Sequence, residues 1–181
     1  MIHTMKIKIK KINKNATIPF QAKKGDFCYD VIAVSEEEIA PNIWKYGLGF
    51  AYEIIRDVEN IGEISARPYT SDLFKQVDVL RWLKINFDNC NIKLSIDFRP
   101  RSSVWKTGMI LSNCCGTLDE FYRGEVGAIF YHIIPTMPRY KIGDRIGQIK
   151  LGFTIPIEFM EVEEIDMVTE RGKGGFGSTG R

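Results

Sequence analysis

Four stretches of this 181-residue chain carry side chains suited to holding a chain of phosphates. Arg99-Pro100-Arg101-Ser102-Ser103 follows a strand-like run, where an arginine can fork onto a phosphate and a serine can donate a short hydrogen bond. The C-terminal run from Arg171 to Arg181 sets five glycines, Gly175 among them, around Phe176, Ser178 and Thr179. Its backbone N–H groups and hydroxyls can wrap phosphate oxygens while Arg171 supplies charge. In the segment from Gly116 to Glu125, Asp119 precedes Tyr122 by three residues within an expected β-hairpin, an arrangement able to hold a base edge and a water. Gln148, in the run from Tyr140 to Ile149, lies on an expected strand after a tight turn, where its amide can face a phosphate or a water. Each stretch also has an ordinary reading: a basic turn, a flexible tail, an acidic hairpin, a plain strand.

The elements that must position these residues are mostly strands. Ile92, Leu94, Ile96 and Phe98 alternate with Lys93, Ser95 and Asp97, the pattern of a strand with one buried face. Similar β-rich runs span 5–12, 27–34, 126–134 and 142–151, separated by glycine, proline and polar turns. The lysines from Lys6 to Lys14 interleave with Ile7 and Ile9 and read as the solvent face of a first strand. An all-β sandwich or barrel follows. One stretch breaks the rhythm: from Ser71 to Asn86, Leu73, Phe74, Val77, Leu80 and Leu83 fall near helical spacing, and Ser71-Asp72 can cap that helix.

Composition narrows the function classes. With 25 basic and 23 acidic residues, the net charge of +2 gives no global field for nucleic acid, so any anion site is local. No apolar run reaches the length of a signal h-region or a membrane span, and a cytoplasmic protein is expected. Cys28, Cys90, Cys114 and Cys115 lack zinc-ribbon spacing and are expected to be reduced thiols. His3 and His132 are the only histidines, and neither is paired with a nucleophile in sequence.

Taken in order, the segments resemble the five motifs of the dUTPase family: 25–33, 100–104, 116–126, 143–149 and 171–180. The resemblance implies a distorted jelly-roll β-barrel spanning 1–170, with an insertion of about 56–91 carrying the helix, and a glycine-rich phosphate-binding lid over 171–181. It implies hydrolysis of dUTP to dUMP and pyrophosphate, which limits uracil in DNA and supplies dUMP for dTMP synthesis. Asp119 is then the group that activates the attacking water, assisted by Gln148. Arg101, Ser102, Ser103, Gln148, Arg171, Gly175, Ser178 and Thr179 contact phosphates. Asn113, Gly116, Leu118, Asp119, Tyr122 and Phe176 contact uracil or deoxyribose, with Tyr122 packed under the sugar and Phe176 stacked on the base. Asp30 reaches Mg2+ through water, the ion being held mainly by the substrate phosphates. The family pattern also implies a homotrimer with active sites shared between subunits, and no nucleic-acid or membrane partner.

The chain departs from the family pattern at Glu120-Phe121 in place of Ser-Asp, Gly147 in place of alanine, and Cys114-Cys115 in place of aliphatic residues. The inserted segment has two readings, packing on the trimer's own flank or docking another protein. The related dCTP deaminases place a glutamate where this chain has Ile129, and a hydrocarbon cannot shuttle protons. A nucleotide-sensing protein without activity is disfavoured because Asp119, Arg101, Gln148 and Arg171 are all present.

Overall fold

The structure is a computed structural model that describes residues 5–56 and 92–165. Its elements are β1 (Lys6–Lys11), β2 (Tyr29–Ile32), β3 (Ser35–Ala40), β4 (Ile43–Gly47), β5 (Phe50–Ile55), β6 (Lys93–Pro100), a 3-10 helix (Ser102–Thr107), β7 (Met109–Leu111), β8 (Gly116–Asp119), β9 (Gly127–His132) and β10 (Arg145–Thr154). The strands form two four-stranded antiparallel sheets, ordered β2-β10-β6-β8 and β3-β4-β9-β7, and a two-stranded β1-β5 ribbon. The fold is all-β, of the jelly-roll type. The helix expected over 71–86, within the insertion of about 56–91, lies outside the described residues, as does the C-terminal lid. Among the described residues no helix is long and apolar enough to cross a membrane.

Alternation dictates which faces meet. Leu94, Ile96 and Phe98 of β6 are buried, while Ser95 and Asp97 face the other way, where Asp97 accepts a hydrogen bond from Lys150 at 2.9 Å. On β9, Ala128, Phe130 and His132 turn inward and Ile129 and Tyr131 outward. Phe98 and Phe130 meet Tyr46 and Tyr140 in an edge-to-face aromatic cluster with centroids 5.4 to 6.3 Å apart. The Tyr46 hydroxyl donates to the Tyr140 carbonyl at 2.8 Å, so the polar tip of the ring is satisfied within the core.

The expected hairpin around Asp119 takes a different form. β8 pairs with β6 and β9 pairs with β4 and β7, so the chain between them crosses from one sheet to the other. Alternation signals a strand but carries no record of its partner, which is chosen by packing.

The Gly147 departure has a local cause. A Cβ there would fall inside the van der Waals envelope of the Phe98 ring and 2.9 Å from the Arg99 carbonyl oxygen. Phe98 is fully buried and packed on Phe130, so its ring has nowhere to retreat. Gly147→Ala should therefore destabilise the protein by about 1–3 kcal/mol, the range for overpacking a filled core, read as a lower denaturant midpoint at unchanged m-value. An unchanged midpoint would show that the ring yields.

Candidate active site

Three of the segments singled out in the sequence converge at one end of the β2-β10-β6 array. Gln148 of β10 lies opposite Asp30 of β2 on one side and Arg99 of β6 on the other. β6 delivers Arg101 immediately after its last residue, at the N-cap of the 3-10 helix. Asp30 is 3% exposed, and its carboxylate is held by donors. Gln148 Nε2 donates to Oδ1 at 3.3 Å, Arg101 Nε lies 3.4 Å from Oδ1, and Arg145 Nη1 donates to Oδ2 at 3.1 Å. A buried carboxylate without such partners would be strongly unfavourable, and here it orients cationic groups that keep solvent access. Ser102 and Ser103 follow in the 3-10 helix, Ser102 exposed and Ser103 partly so. Asp30, Arg101, Ser102, Ser103 and Gln148, all expected from the sequence to serve the phosphates or their metal, come to one corner, and Arg145, which no sequence signal singled out, joins them.

The Asp119 region is built separately. Asp119 ends β8 and its side chain is exposed. Its carbonyl is fixed by the Tyr52 hydroxyl at 2.6 Å and by the Tyr122 N–H at 3.0 Å. Burial, with a smaller push from the Asp119 charge, raises the Tyr52 phenol to about 12, so it remains a donor at neutral pH. The next residue, Glu120, is buried and takes a two-pronged guanidinium from Arg56, with Nη2 to Oε2 at 2.6 Å, while the Leu94 N–H donates to Oε2 at 3.2 Å. Tyr122 curls over Gly124, its hydroxyl donating to the Glu125 carbonyl at 3.0 Å. These contacts hold the Asp119 backbone on two sides and leave its carboxylate in solvent.

β8 is an edge strand, hydrogen-bonded only to β6 within its sheet. Among the described residues its outer row of N–H and C=O groups has no strand partner and is suited to reading the edge of a planar base. The Leu118 side chain packs on the core, so any base contact at that residue is made by backbone. Gly116 sits close to Asn113, whose Nδ2 lies 3.8 Å from the position a Cβ would take. Arg171, Gly175, Phe176, Ser178 and Thr179 lie outside the described residues.

Other reactive groups are set aside by their surroundings. His132 is buried and its Nε2 sits 3.0 Å from the Met137 carbonyl oxygen, a structural contact. Cys28, Cys114 and Cys115 are free thiols, the last two exposed rather than in the core. Among the described residues no group of three or more His, Cys, Asp or Glu is placed to hold a metal.

Fold and site define a jelly-roll protein with two arginines and a glutamine gathered around a buried carboxylate at one corner and a solvent-facing carboxylate on an edge strand. The family model for dUTPase matches residues 85–180. A deoxyuridine 5'-triphosphate nucleotidohydrolase of Nautilia profundicola is 31% identical over 179 residues, covering 98% of this chain and 100% of its own length. The corresponding protein of Helicobacter pylori strain P12 is 30% identical over 177 residues, with 97% of each chain covered. Among solved structures, a variant of the Staphylococcus bacteriophage 80alpha dUTPase with dUpNHpp superposes with a TM-score of 0.61 at 20% identity, covering 97% of this chain and 99% of that one. A variant dUTPase from phage phi11 of S. aureus, described with a structural Mg(II) ion, gives a TM-score of 0.52 at 15% identity, covering 89% and 99%. The chain belongs to the dUTPase family.

Proposed function

We propose that this protein hydrolyses dUTP to dUMP and pyrophosphate at sites shared between subunits of a homotrimer. The observation that carries the reading is the gathering of Asp30, Arg101 and Gln148, far apart in sequence, around one buried carboxylate on adjacent strands. This is the corner that receives the triphosphate.

The separation of the two halves supports sharing. Asp119 pairs with Ser95 and Gln148 with Arg99, four positions apart along β6, or roughly 13 Å at the rise of a strand. A span of that length supports a neighbouring copy, rather than the same subunit, bringing Asp119 to a phosphate held by Arg101 and Gln148. The outward Ile129 and Tyr131 of β9, with Ile110 of β7 beside them, give one sheet an exposed apolar face suited to subunit packing. A cavity of ≈ 480 Å³ beneath β1, lined by Ile7, Ile9, Ile18, Tyr29, Phe50 and Tyr52, is apolar, and neither Asp119 nor Arg101 lines it. We assign it to packing rather than to substrate.

In the mechanism, the β8 edge pairs with uracil, Tyr122 packs under the deoxyribose, and Asp119 takes a proton from the attacking water. Arg101, Gln148 and the two serines hold the phosphates in line, and the lid residues Arg171, Ser178 and Thr179 close over them while Phe176 stacks on the base. Phosphoryl-type transfer demands positioning and charge neutralisation more than covalent chemistry, and these residues provide both. The described donor set fits Mg2+ only as an ion carried by the phosphates, because Asp30 is a lone carboxylate already engaged by N–H donors. Bound there, the ion would neutralise phosphate charge.

The test is pyrophosphate release from dUTP with magnesium, run beside dCTP, dTTP and UTP. Rapid release from dUTP alone is expected. Release of ammonia from dCTP, or no turnover of any of the four, would overturn the proposal.

A further inference from the structure

Asp30 holds three side chains, and the third, Arg145, belongs to no role assigned above. Residues three apart on a regular strand face opposite sides, so Arg145 and Gln148 of β10 should point away from each other. They do not, because the pairing of β10 with β2 slips between Arg145 and Gly147: Arg145 lies opposite Ile32 and Gly147 opposite Val31. The extra residue is a β-bulge, a device that re-aims side chains. Both groups then reach Asp30, at 3.1 Å from Arg145 and 3.3 Å from Gln148.

The resulting cluster is unbalanced in charge. Two guanidinium groups, those of Arg101 and Arg145, share one carboxylate, leaving an excess positive charge beside Gln148. A guanidinium carries five N–H donors, and among the described residues Arg145 is bonded only to Asp30. Its side chain is 43% exposed, against 3% for Asp30. A fork braced at one edge by a buried carboxylate and open at the other is oriented in advance for an anion.

We propose that Arg145 is a further substrate-binding residue, contacting the triphosphate chain beside Arg101. The inference rests on the reading that Asp30, Arg101 and Gln148 form the phosphate site. Arg145→Gln should weaken binding of dUpNHpp with magnesium by roughly ten- to a hundredfold, the loss of a charge-assisted hydrogen bond. Inhibition by deoxyuridine, which has no phosphate, should stay within about twofold of wild type, because the uracil half is built elsewhere. Arg145→Met, which keeps much of the stem length, provides a second neutral variant should the first not fold. Triphosphate affinity within twofold of wild type in a folded variant would overturn the inference alone, and so would an equal loss for deoxyuridine. Failure of the wild type to bind dUpNHpp would overturn both the inference and the reading beneath it.

Discussion

Asp119→Asn should leave the protein folded and able to bind dUpNHpp while pyrophosphate release from dUTP falls by roughly 10²- to 10⁴-fold, the usual share of a general base. Asparagine matches aspartate in shape but cannot accept the proton of the attacking water. The substitution leaves the supports of this position in place, since Tyr52 and the Tyr122 N–H both bond the backbone carbonyl. Nor does it leave a buried charge unpaired, because the Asp119 side chain is exposed. A loss confined to kcat, with affinity for the analogue kept, is therefore the signature of the chemical step. Turnover within a few fold of wild type would remove Asp119 from the role of base and point to another group.

The largest stability effect is expected one residue on. Glu120 and Arg56 form a two-pronged pair in which the carboxylate side chain is 9% exposed and the guanidinium 20%. The pair joins the end of β5 to the start of β6, since Arg56 also donates to the Ile92 carbonyl at 2.7 Å and Glu120 accepts the Leu94 N–H. Removing one member leaves the other charge without its partner in a low-dielectric setting. Glu120→Gln should cost about 3 kcal/mol, the low end of the range for such pairs because Arg56 keeps some water contact. In a chain of this length that is a fall in Tm of roughly 6–12 °C.

The same pair makes stability depend on acid. The Arg56 hydrogen bond, partly opposed by burial and helped by the Leu94 N–H, holds the Glu120 carboxyl below its ordinary value of 4.5. A depressed carboxylate contributes stability above its unfolded pKa and loses it as pH falls through the folded one. Wild type should therefore lose stability below about pH 4.5 more steeply than Glu120→Gln, and the gap between them should narrow. Denaturant titrations at pH 7 and at pH 3 to 4 measure both terms. Parallel curves would show that the pair contributes nothing through its charge.

Strands whose side chains alternate cleanly were legible in the sequence. The runs that became β1 and β6 declare themselves by period two, and those that became β9 and β10 by β-rich composition between turns. β3 does not: its Ser-Glu-Glu-Glu-Ile-Ala sequence is poor in strand-forming residues. It is held instead by pairing with β4 and by Arg139, which bonds Glu36 at 2.9 Å and lies over the Trp44 ring at 3.6 Å. The Arg139 contact comes from about a hundred positions away and leaves no trace in the local sequence.

The chemistry divides in the same way. The sequence by itself determined which groups are available: Arg101, Gln148, Asp30 and Asp119, in an order that resembles one family. Side-chain type and spacing are properties of the chain alone. Only the tertiary structure decided that Asp30 is the buried anchor of two arginines, that a bulge turns Arg145 toward it, and that Asp119 stands at the far end of the sheet from Gln148. Strand partner, register and bulge position follow from how side chains far apart in sequence fill a common core, and a periodic pattern is compatible with many such arrangements.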